Sequence, residues 1–199
     1  MSAHYAIMME GVEDLLKRTE GAEFEKRVIK AARLAINKTA DRARGFAVDE
    51  MLRQVNFPRG YLRGNNARLK VTQKASDGNL EAVITGRSEP TSLARFVTSA
   101  TKSGGVRVSV KPGSSRQIKN GFLINLRAGA TSLGNKGLAV RTDGRKPRGA
   151  YKPKEIAPGL WLLYGPSVDQ VFRSVRSDIT PSVEDYLSNE FLRLWDLDL

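Results

Sequence analysis

Cysteine is absent from this 199-residue chain, and histidine occurs once, at position 4. The absence of cysteine excludes disulfide bonds and thiolate metal sites, and it is typical of proteins of a reducing compartment. One histidine cannot supply the ligands of a structural zinc site. We interpret His4 as incidental, because a lone histidine in an N-terminal segment is far more often incidental than a general base.

Patterns of catalytic chemistry are scarce as well. The acidic residues are scattered over charged helical faces without the paired spacing of a carboxylate metal site. No phosphate-binding GxxxxGK[ST] motif occurs, and Gly113–Arg116 is not followed by the strand-to-helix transition that such a loop needs. The sequence therefore predicts no catalytic, metal or cofactor site, and we expect a protein that is not an enzyme.

Long apolar runs are also missing. No segment approaches the roughly 18 uninterrupted apolar residues of a membrane-spanning helix, and the N-terminal residues lack the apolar core of a signal peptide. We therefore expect a soluble intracellular product with no membrane partner.

Positive charge, by contrast, is in excess. The chain has 33 Lys and Arg against 21 Asp and Glu, a formal charge of +12, and 40% hydrophobic residues. Its length suits one substantial core, so we predict a single domain over residues 1–199, with residues 1–22 as a flexible arm and residues 142–158 as a mobile basic loop. A surface this basic indicates a polyanion or an acidic protein as partner, although solubility alone is the simpler alternative.

One long helix is predicted from Glu23 to the Pro58-Arg59-Gly60 segment. Apolar residues recur there at spacings of three and four, which is typical of a helix with one buried stripe. The charges on its other faces are most simply a solvated surface. The stripe comprises Val28, Ala32, Ile36, Ala40, Ala43, Ala47, Met51 and Val55.

The central stretch, residues 104–127, contains two segments of alternating polarity. Residues 106–110 and 122–126 read as two strands of one unit, with Val106 and Val108 on one face and Arg107 on the other. The connection between them is predicted to be a loop and contains no acid.

Further strands and one C-terminal helix complete the prediction. Residues 69–73 and 80–84 flank an Asp-Gly turn and read as a hairpin. Residues 5–9 are predicted as an edge strand before a short helix, residues 138–141 as a short strand, and residues 160–164 as a buried strand closed by a turn at residues 165–167. Helical spacing resumes at residue 168 and continues past Pro181, which predicts a broken or kinked helix.

The predicted fold class is therefore α+β. We expect a mainly antiparallel sheet, packed by the long N-terminal helix and the kinked C-terminal helix, with long basic loops. Loops at residues 95–102 and 142–158 are the segments expected to become ordered on assembly.

Six cations are the candidate contacts for DNA or for an acidic protein. They share a position in predicted loops with few or no acids nearby, which suits contact with a polyanion. They are Lys111, Arg116, Lys119, Arg145, Lys146 and Arg148.

Five segments of the chain resemble the minor tail protein Z family, the tail-completion proteins of long-tailed bacteriophages and prophages. They occur in the family's order and span roughly residues 28–195. The last of them contains the family-motif turn formed by Tyr164, Gly165, Pro166 and Ser167. The segments are Ala35–Arg44, Gly105–Val110, Gly121–Ile124, Gly137–Arg141 and Leu163–Val168.

This resemblance implies a structural virion protein that completes the head-proximal end of the tail for head–tail joining and DNA passage. The implied partners are other tail and neck proteins, namely the tail terminator, the tail tube and the connector, in a homo-oligomeric ring. Genomic double-stranded DNA is a further partner, contacted through its backbone. The implied location is the virion, after assembly in the host cytoplasm.

Two other function classes stay open at the level of the sequence. A sequence-neutral nucleic-acid-binding protein would also have this charge, although no recognition helix or zinc module indicates base reading. A nuclease is a more distant alternative, since no metal-ligand set is present.

Overall fold

The computed structural model describes residues 4–18, 21–64, 66–101, 105–126, 135–147 and 151–197. Within these residues the helices are α1 (Val12–Arg18), α2 (Ala22–Gln54) and α3 (Val168–Asp196), with a 3-10 helix at Leu93–Phe96. The strands of the N-terminal half are β1 (His4–Met8), β2 (Leu69–Gln73), β3 (Glu81–Gly86), β4 (Pro90–Ser92) and β5 (Val97–Thr101). The later strands are β6 (Gly105–Val108), β7 (Arg116–Ile118), β8 (Gly121–Asn125), β9 (Lys136–Arg141), β10 (Tyr151–Ala157) and β11 (Leu160–Ser167).

The α+β fold class is confirmed. The described strands pair antiparallel in three sheets, with the orders β1-β3-β2, β10-β11-β9-β8 and β5-β6-β7. Strand β4 pairs with the second half of β11 and completes the five-stranded sheet. The chain thus combines a long N-terminal helix, a long C-terminal helix and antiparallel sheets.

The described chain forms two compact units. The first comprises Met1–Glu50, Arg68–Arg87 and Phe172–Leu199, and the second comprises Met51–Ala67 and Ser88–Val171. A single domain over residues 1–199 stays a prediction, as do a flexible arm at residues 1–22 and mobility of residues 142–158.

The apolar stripe of α2 is buried as predicted. Its residues from Val28 to Met51 are inaccessible to solvent, because spacings of three and four keep them on one side of the helix. In the first unit two clusters pack on this helix, centred on Val28 and on Ala35. The small alanine side chains allow neighbouring elements to approach the helix closely.

The three-stranded sheet of the first unit is tied to both long helices. Tyr5 of β1 packs edge-on against the Phe172 ring of α3, with 6.1 Å between ring centroids. The Tyr5 and Thr180 hydroxyls are 3.1 Å apart. On the other helix, Asn37 exchanges two hydrogen bonds with the backbone of Ala75, which fixes the β2–β3 connection. The predicted edge strand, short helix and hairpin are confirmed as β1, α1 and the β2–β3 pair.

Pro181 lies inside α3, which continues from Val168 to Asp196. Of the two forms predicted for this helix, the broken one is wrong. Proline removes one backbone donor from the helix interior. One residue earlier, the Thr180 hydroxyl donates to the carbonyl oxygen of Arg176 at 2.9 Å.

The central stretch does not form a two-stranded unit, and this prediction is wrong. Strand β6 pairs with β5 and β7, whereas β8 pairs with β9 in the five-stranded sheet. The residues between β6 and β8 are not all loop, since Arg116–Ile118 forms β7. The alternation within β6 is confirmed, because Val106 and Val108 are buried and Arg107 is exposed.

The basic stretch at residues 142–158 also departs from the prediction. Residues 151–157 form β10, an edge strand paired with β11, so a loop throughout this stretch is wrong. Pairing is interrupted between Tyr151 and Lys154, where Lys152 has a φ of 40°. Proline is tolerated on an edge strand or at a bulge, which explains how Pro153 fits.

Two further predicted loops are parts of strands. Residues 97–101 of the predicted loop 95–102 form β5, while residue 102 lies outside the described residues. The predicted turn at residues 165–167 belongs to β11, which runs unbroken to Ser167. The Ser167 hydroxyl then accepts a hydrogen bond from the backbone N–H of Gln170 at 3.0 Å and caps α3.

Candidate polyanion or acidic-partner contact site

One end of the five-stranded sheet gathers three chain connections of the second unit. Gly121 pairs with Val140 where β8 begins and β9 nears its end, and Arg141 pairs with Leu160 where β11 begins. The β7–β8 turn, the β9–β10 connection and the β10–β11 turn therefore leave the sheet at this same end. We call it the basic sheet end, defined by Lys119, Arg141, Arg145 and Lys146.

Local hydrogen bonds order the backbone of the basic sheet end. The Thr142 N–H donates to the Gly159 carbonyl oxygen at 2.8 Å, and the Thr142 hydroxyl donates to the Arg145 carbonyl oxygen at 2.6 Å. The Gly159 N–H donates to a carboxylate oxygen of Glu155 at 2.9 Å. The β9–β10 connection therefore begins as a hydrogen-bonded turn that carries Arg145 and Lys146.

A glycine is required at position 159. Its φ of 70° lies in the left-handed region, and an added Cβ would lie 2.3 Å from the Thr142 carbonyl oxygen. Any side chain here would have to displace backbone that belongs to the turn. The close approach of the β9–β10 connection and the β10–β11 turn therefore depends on Gly159.

All four cations of the basic sheet end are exposed. Two acids lie close by, Asp143 on the β9–β10 connection and Glu155 in β10, whose carboxylate accepts from the Gly159 N–H, so cations outnumber acids two to one. Arg141 is not among the predicted contact residues, because those were chosen from predicted loops and Arg141 ends a predicted strand. The signal that could have identified it is the basic loop that follows directly.

The structure separates the predicted contact residues into groups. Lys119, Arg145 and Lys146 lie together at the basic sheet end. Lys111 and Arg116 lie at the opposite end of the β6–β7 hairpin, because Arg116 pairs with Val108 at the end of β6. Arg148 lies outside the described residues.

The turn that carries Lys111 is supported by Ser109. The Ser109 hydroxyl lies 2.8 Å from the carbonyl oxygen of Ser114, and the Ser114 N–H donates to the Lys111 carbonyl oxygen at 3.1 Å. Lys111 and Arg116 are both exposed. They form a second, smaller basic site rather than an extension of the first.

The family-motif residues at 164–167 have a packing role in the structure. An added Cβ at Gly165 would lie 3.0 Å from the Phe96 ring, so the strand and the ring are in close contact. Tyr164 pairs with Ser92 and Gly165 with Thr91 in β4. Together with the Ser167 cap, these contacts fix the passage from β11 into α3.

The most strongly shifted acid lies outside this site, in the first unit. Hydrogen bonds from Arg193, together with the Lys38 ammonium, hold the pKa of Glu190 at about 2, against the opposing effect of burial. Both partners are cations of the two long helices, so Glu190 is an ion-pair residue rather than a proton donor.

Neither a metal centre nor a membrane span is visible in the described part of the chain. No group of three or more His, Cys, Asp or Glu residues there could hold a metal ion. The described helices contain no segment both long and apolar enough to cross a bilayer.

The geometry therefore defines a class of protein, an α+β protein with exposed cations at one end of its five-stranded sheet. The family model of prophage minor tail protein Z (GPZ) matches residues 10–194. The chain belongs to this family of prophage minor tail proteins. No curated protein and no solved structure matches the chain.

Family membership establishes the broad role. The protein is a structural component of a phage tail, which points to a virion location, to other tail proteins as partners and to a role without catalysis. The resemblance stated from the sequence is thereby confirmed.

Proposed function

We propose that this protein completes the head-proximal end of the tail and makes the tail competent to join a DNA-filled head. The family match over residues 10–194 carries this proposal. In this role the chain contacts the tail terminator, the tail tube and the connector, and copies of it form a ring. It acts without turnover, after assembly in the host cytoplasm.

The basic sheet end is the proposed contact for a polyanion. Its four cations are exposed, and Arg145 and Lys146 lie on the hydrogen-bonded turn that follows β9. The polyanion is either the backbone of DNA that passes the neck or the acidic surface of a neighbouring protein. The net charge of +12 favours both.

A complementation experiment tests the role in joining. Tails are assembled in a host whose phage lacks this gene, and they are mixed with DNA-filled heads with or without the purified protein. We expect tails without the protein to fail to join and the added protein to restore infectious particles. Normal joining without the protein would contradict the proposal.

A matched pair of variants separates the two polyanions. Lys119→Ser/Arg145→Ser/Lys146→Ser removes three cations from the basic sheet end, and Lys30→Ser/Arg59→Ser/Lys70→Ser removes three exposed cations elsewhere. Loss of DNA retention with normal joining in the first variant alone indicates DNA contact. Failed joining without a defect in DNA binding indicates an acidic protein. Equal behaviour of the two variants would exclude a specific role for the basic sheet end.

A further inference from the structure

Most edge strands of the described sheets carry features that hinder pairing with another chain. An edge strand exposes unpaired N–H and C=O groups, and proteins usually block them with Lys, Pro, bulges or short strands. Strand β10 has Lys152, Pro153 and Lys154 with two register shifts, and β2 has Lys70 with one shift. Strand β5 is bulged, β7 has three residues and includes Arg116, and β4 has three residues and begins with Pro90.

Two edge strands in the described part of the chain have none of these features, although Arg176 donates to the His4 carbonyl oxygen at the start of β1, the end away from Met8. Strand β8, with the sequence GFLIN, pairs with β9 through five consecutive residues without a register shift. Strand β1, with the sequence HYAIM, pairs with β3 in the same regular way. Both strands have five residues and contain no Lys, Arg, Asp, Glu or Pro.

The unprotected strands also expose apolar side chains. Phe122 of β8 is 37% exposed and Met8 of β1 is 53% exposed. Leu126, directly after β8, is 48% exposed. A strand added to β8 would therefore bury apolar surface in addition to forming main-chain hydrogen bonds.

Charges beyond the two strands are complementary. Exposed Lys119 precedes β8 by two residues, and exposed Glu10 follows β1 by two residues. An antiparallel arrangement places the end of β1 beside the start of β8, so Glu10 lies close to the β7–β8 turn that contains Lys119. Two copies of β8 paired with each other would bring no acid to Lys119, because residues 119–127 contain none.

We propose that β1 of one copy adds antiparallel to the free edge of β8 of a second copy. In the register that places Met8 opposite Phe122, Glu10 lies opposite Asn120, the residue that follows Lys119. The two surfaces differ, so the contact is heterologous and repeats from copy to copy, which closes into a ring where the rotation permits. The inference rests on the proposed function, because it specifies how copies of the chain associate in it. Of the basic sheet end it involves Lys119 but not Arg141, Arg145 or Lys146.

Cysteine cross-linking tests the contact directly, since the natural chain has no cysteine. Met8→Cys and Phe122→Cys proteins are purified separately, checked for native circular dichroism, mixed and oxidised. We expect a disulfide-linked mixed dimer on a non-reducing gel. The control replaces Phe122→Cys by Ile156→Cys, since Ile156 is 43% exposed on the protected edge strand β10. Its yield of mixed dimer is expected to be several-fold lower.

Charge reversal provides a second test, because a change in the yield of mixed dimer on reversal cannot come from cysteine reactivity alone. Glu10→Lys in the Met8→Cys protein, or Lys119→Glu in the Phe122→Cys protein, should lower the yield by up to about fivefold, the upper end for an exposed ion pair. Both reversals together should restore it.

Three outcomes would overturn the proposed contact. They are equal yields with Phe122→Cys and Ile156→Cys, a predominant dimer of Phe122→Cys with itself, and the absence of any dimer. If these appear while the protein still restores head joining, the contact is wrong and the proposed function stands.

Discussion

Gly159 and Gly144 show how single residues decide whether the basic sheet end can form. Both have left-handed backbone, with φ values of 70° and 76°. They differ in their surroundings, because a Cβ on Gly144 would meet nothing within 4 Å, whereas on Gly159 it would meet the Thr142 carbonyl oxygen at 2.3 Å. The two positions therefore separate backbone strain from steric conflict.

We expect Gly159→Ala to destabilise the protein by about 2–4 kcal/mol and Gly144→Ala by about 1 kcal/mol. The first value combines left-handed strain with displaced backbone, and the second contains the strain alone. Urea unfolding followed by circular dichroism measures both. An equal loss of unfolding free energy in the two variants would contradict the steric conflict, since the backbone of Thr142 would then move away without a cost in stability.

At the scale of elements, α2 and α3 are joined in the first unit through the Glu190 carboxylate. Arg193 donates to both carboxylate oxygens, at 2.7 and 2.9 Å, and the Lys38 ammonium lies 2.9 Å away. The carboxylate is nearly buried, whereas the Lys38 and Arg193 side chains are about half exposed. The interaction is therefore stronger than a surface ion pair and weaker than a fully buried one.

Glu190→Gln should cost about 1–2 kcal/mol of stability at pH 7, because one charged partner is lost while the cations can still be hydrated. The pKa of Glu190 is lowered to about 2, so its contribution is present above its unfolded pKa of about 4.3 and is lost as the pH falls towards 2. The gap between wild type and variant should therefore close over that range. Unfolding curves at several pH values measure it.

Glu184→Gln is the matched control on the same helix, because Glu184 is exposed. Its stability should follow that of the wild type at every pH. A constant gap for Glu190→Gln from pH 7 to pH 2 would contradict the ion-pair explanation.

The elements differ in how far the sequence determined them. The stripe of α2 repeats over many turns, so its pattern alone predicts both the helix and its buried face. Strand β10 has no such pattern, because its polar residues lie on an exposed edge and Pro153 lies at a bulge. Strand β7 is too short, at three residues, to show any periodicity.

At the scale of the whole molecule, the positive charge predicts salt-dependent retention of DNA. If the basic sheet end contacts phosphates, Lys119→Ser/Arg145→Ser/Lys146→Ser should lower the magnitude of the log–log salt slope by up to about 2.7, from three phosphates at about 0.9 each. Binding to a duplex of arbitrary sequence at several salt concentrations measures the slope.

Lys30→Ser/Arg59→Ser/Lys70→Ser has the same net charge as Lys119→Ser/Arg145→Ser/Lys146→Ser. It therefore controls for the effect of total protein charge on DNA binding. Its slope should stay closer to that of the wild type. If both variants change the slope equally, DNA responds to the total charge and not to the basic sheet end.

The candidate site was also predicted only in part from the sequence. Composition alone indicates a polyanion partner, and the sequence identified Lys119, Arg145 and Lys146 as exposed cations. It did not separate them from Lys111 and Arg116, because only strand pairing shows which ends of the strands meet. Arg141 was omitted because it ends a predicted strand, although the basic loop that follows it was a usable signal.

The sequence by itself determined the α+β class, the buried face of α2 and the family, since these depend on local periodicity and on motifs in order. Only the tertiary structure decided that β6 and β8 lie in different sheets and that Lys119 lies near the β9–β10 connection. The reason is physical. Side-chain pattern fixes which face of a strand is buried, whereas the choice of neighbouring strand depends on contacts between residues far apart in the chain.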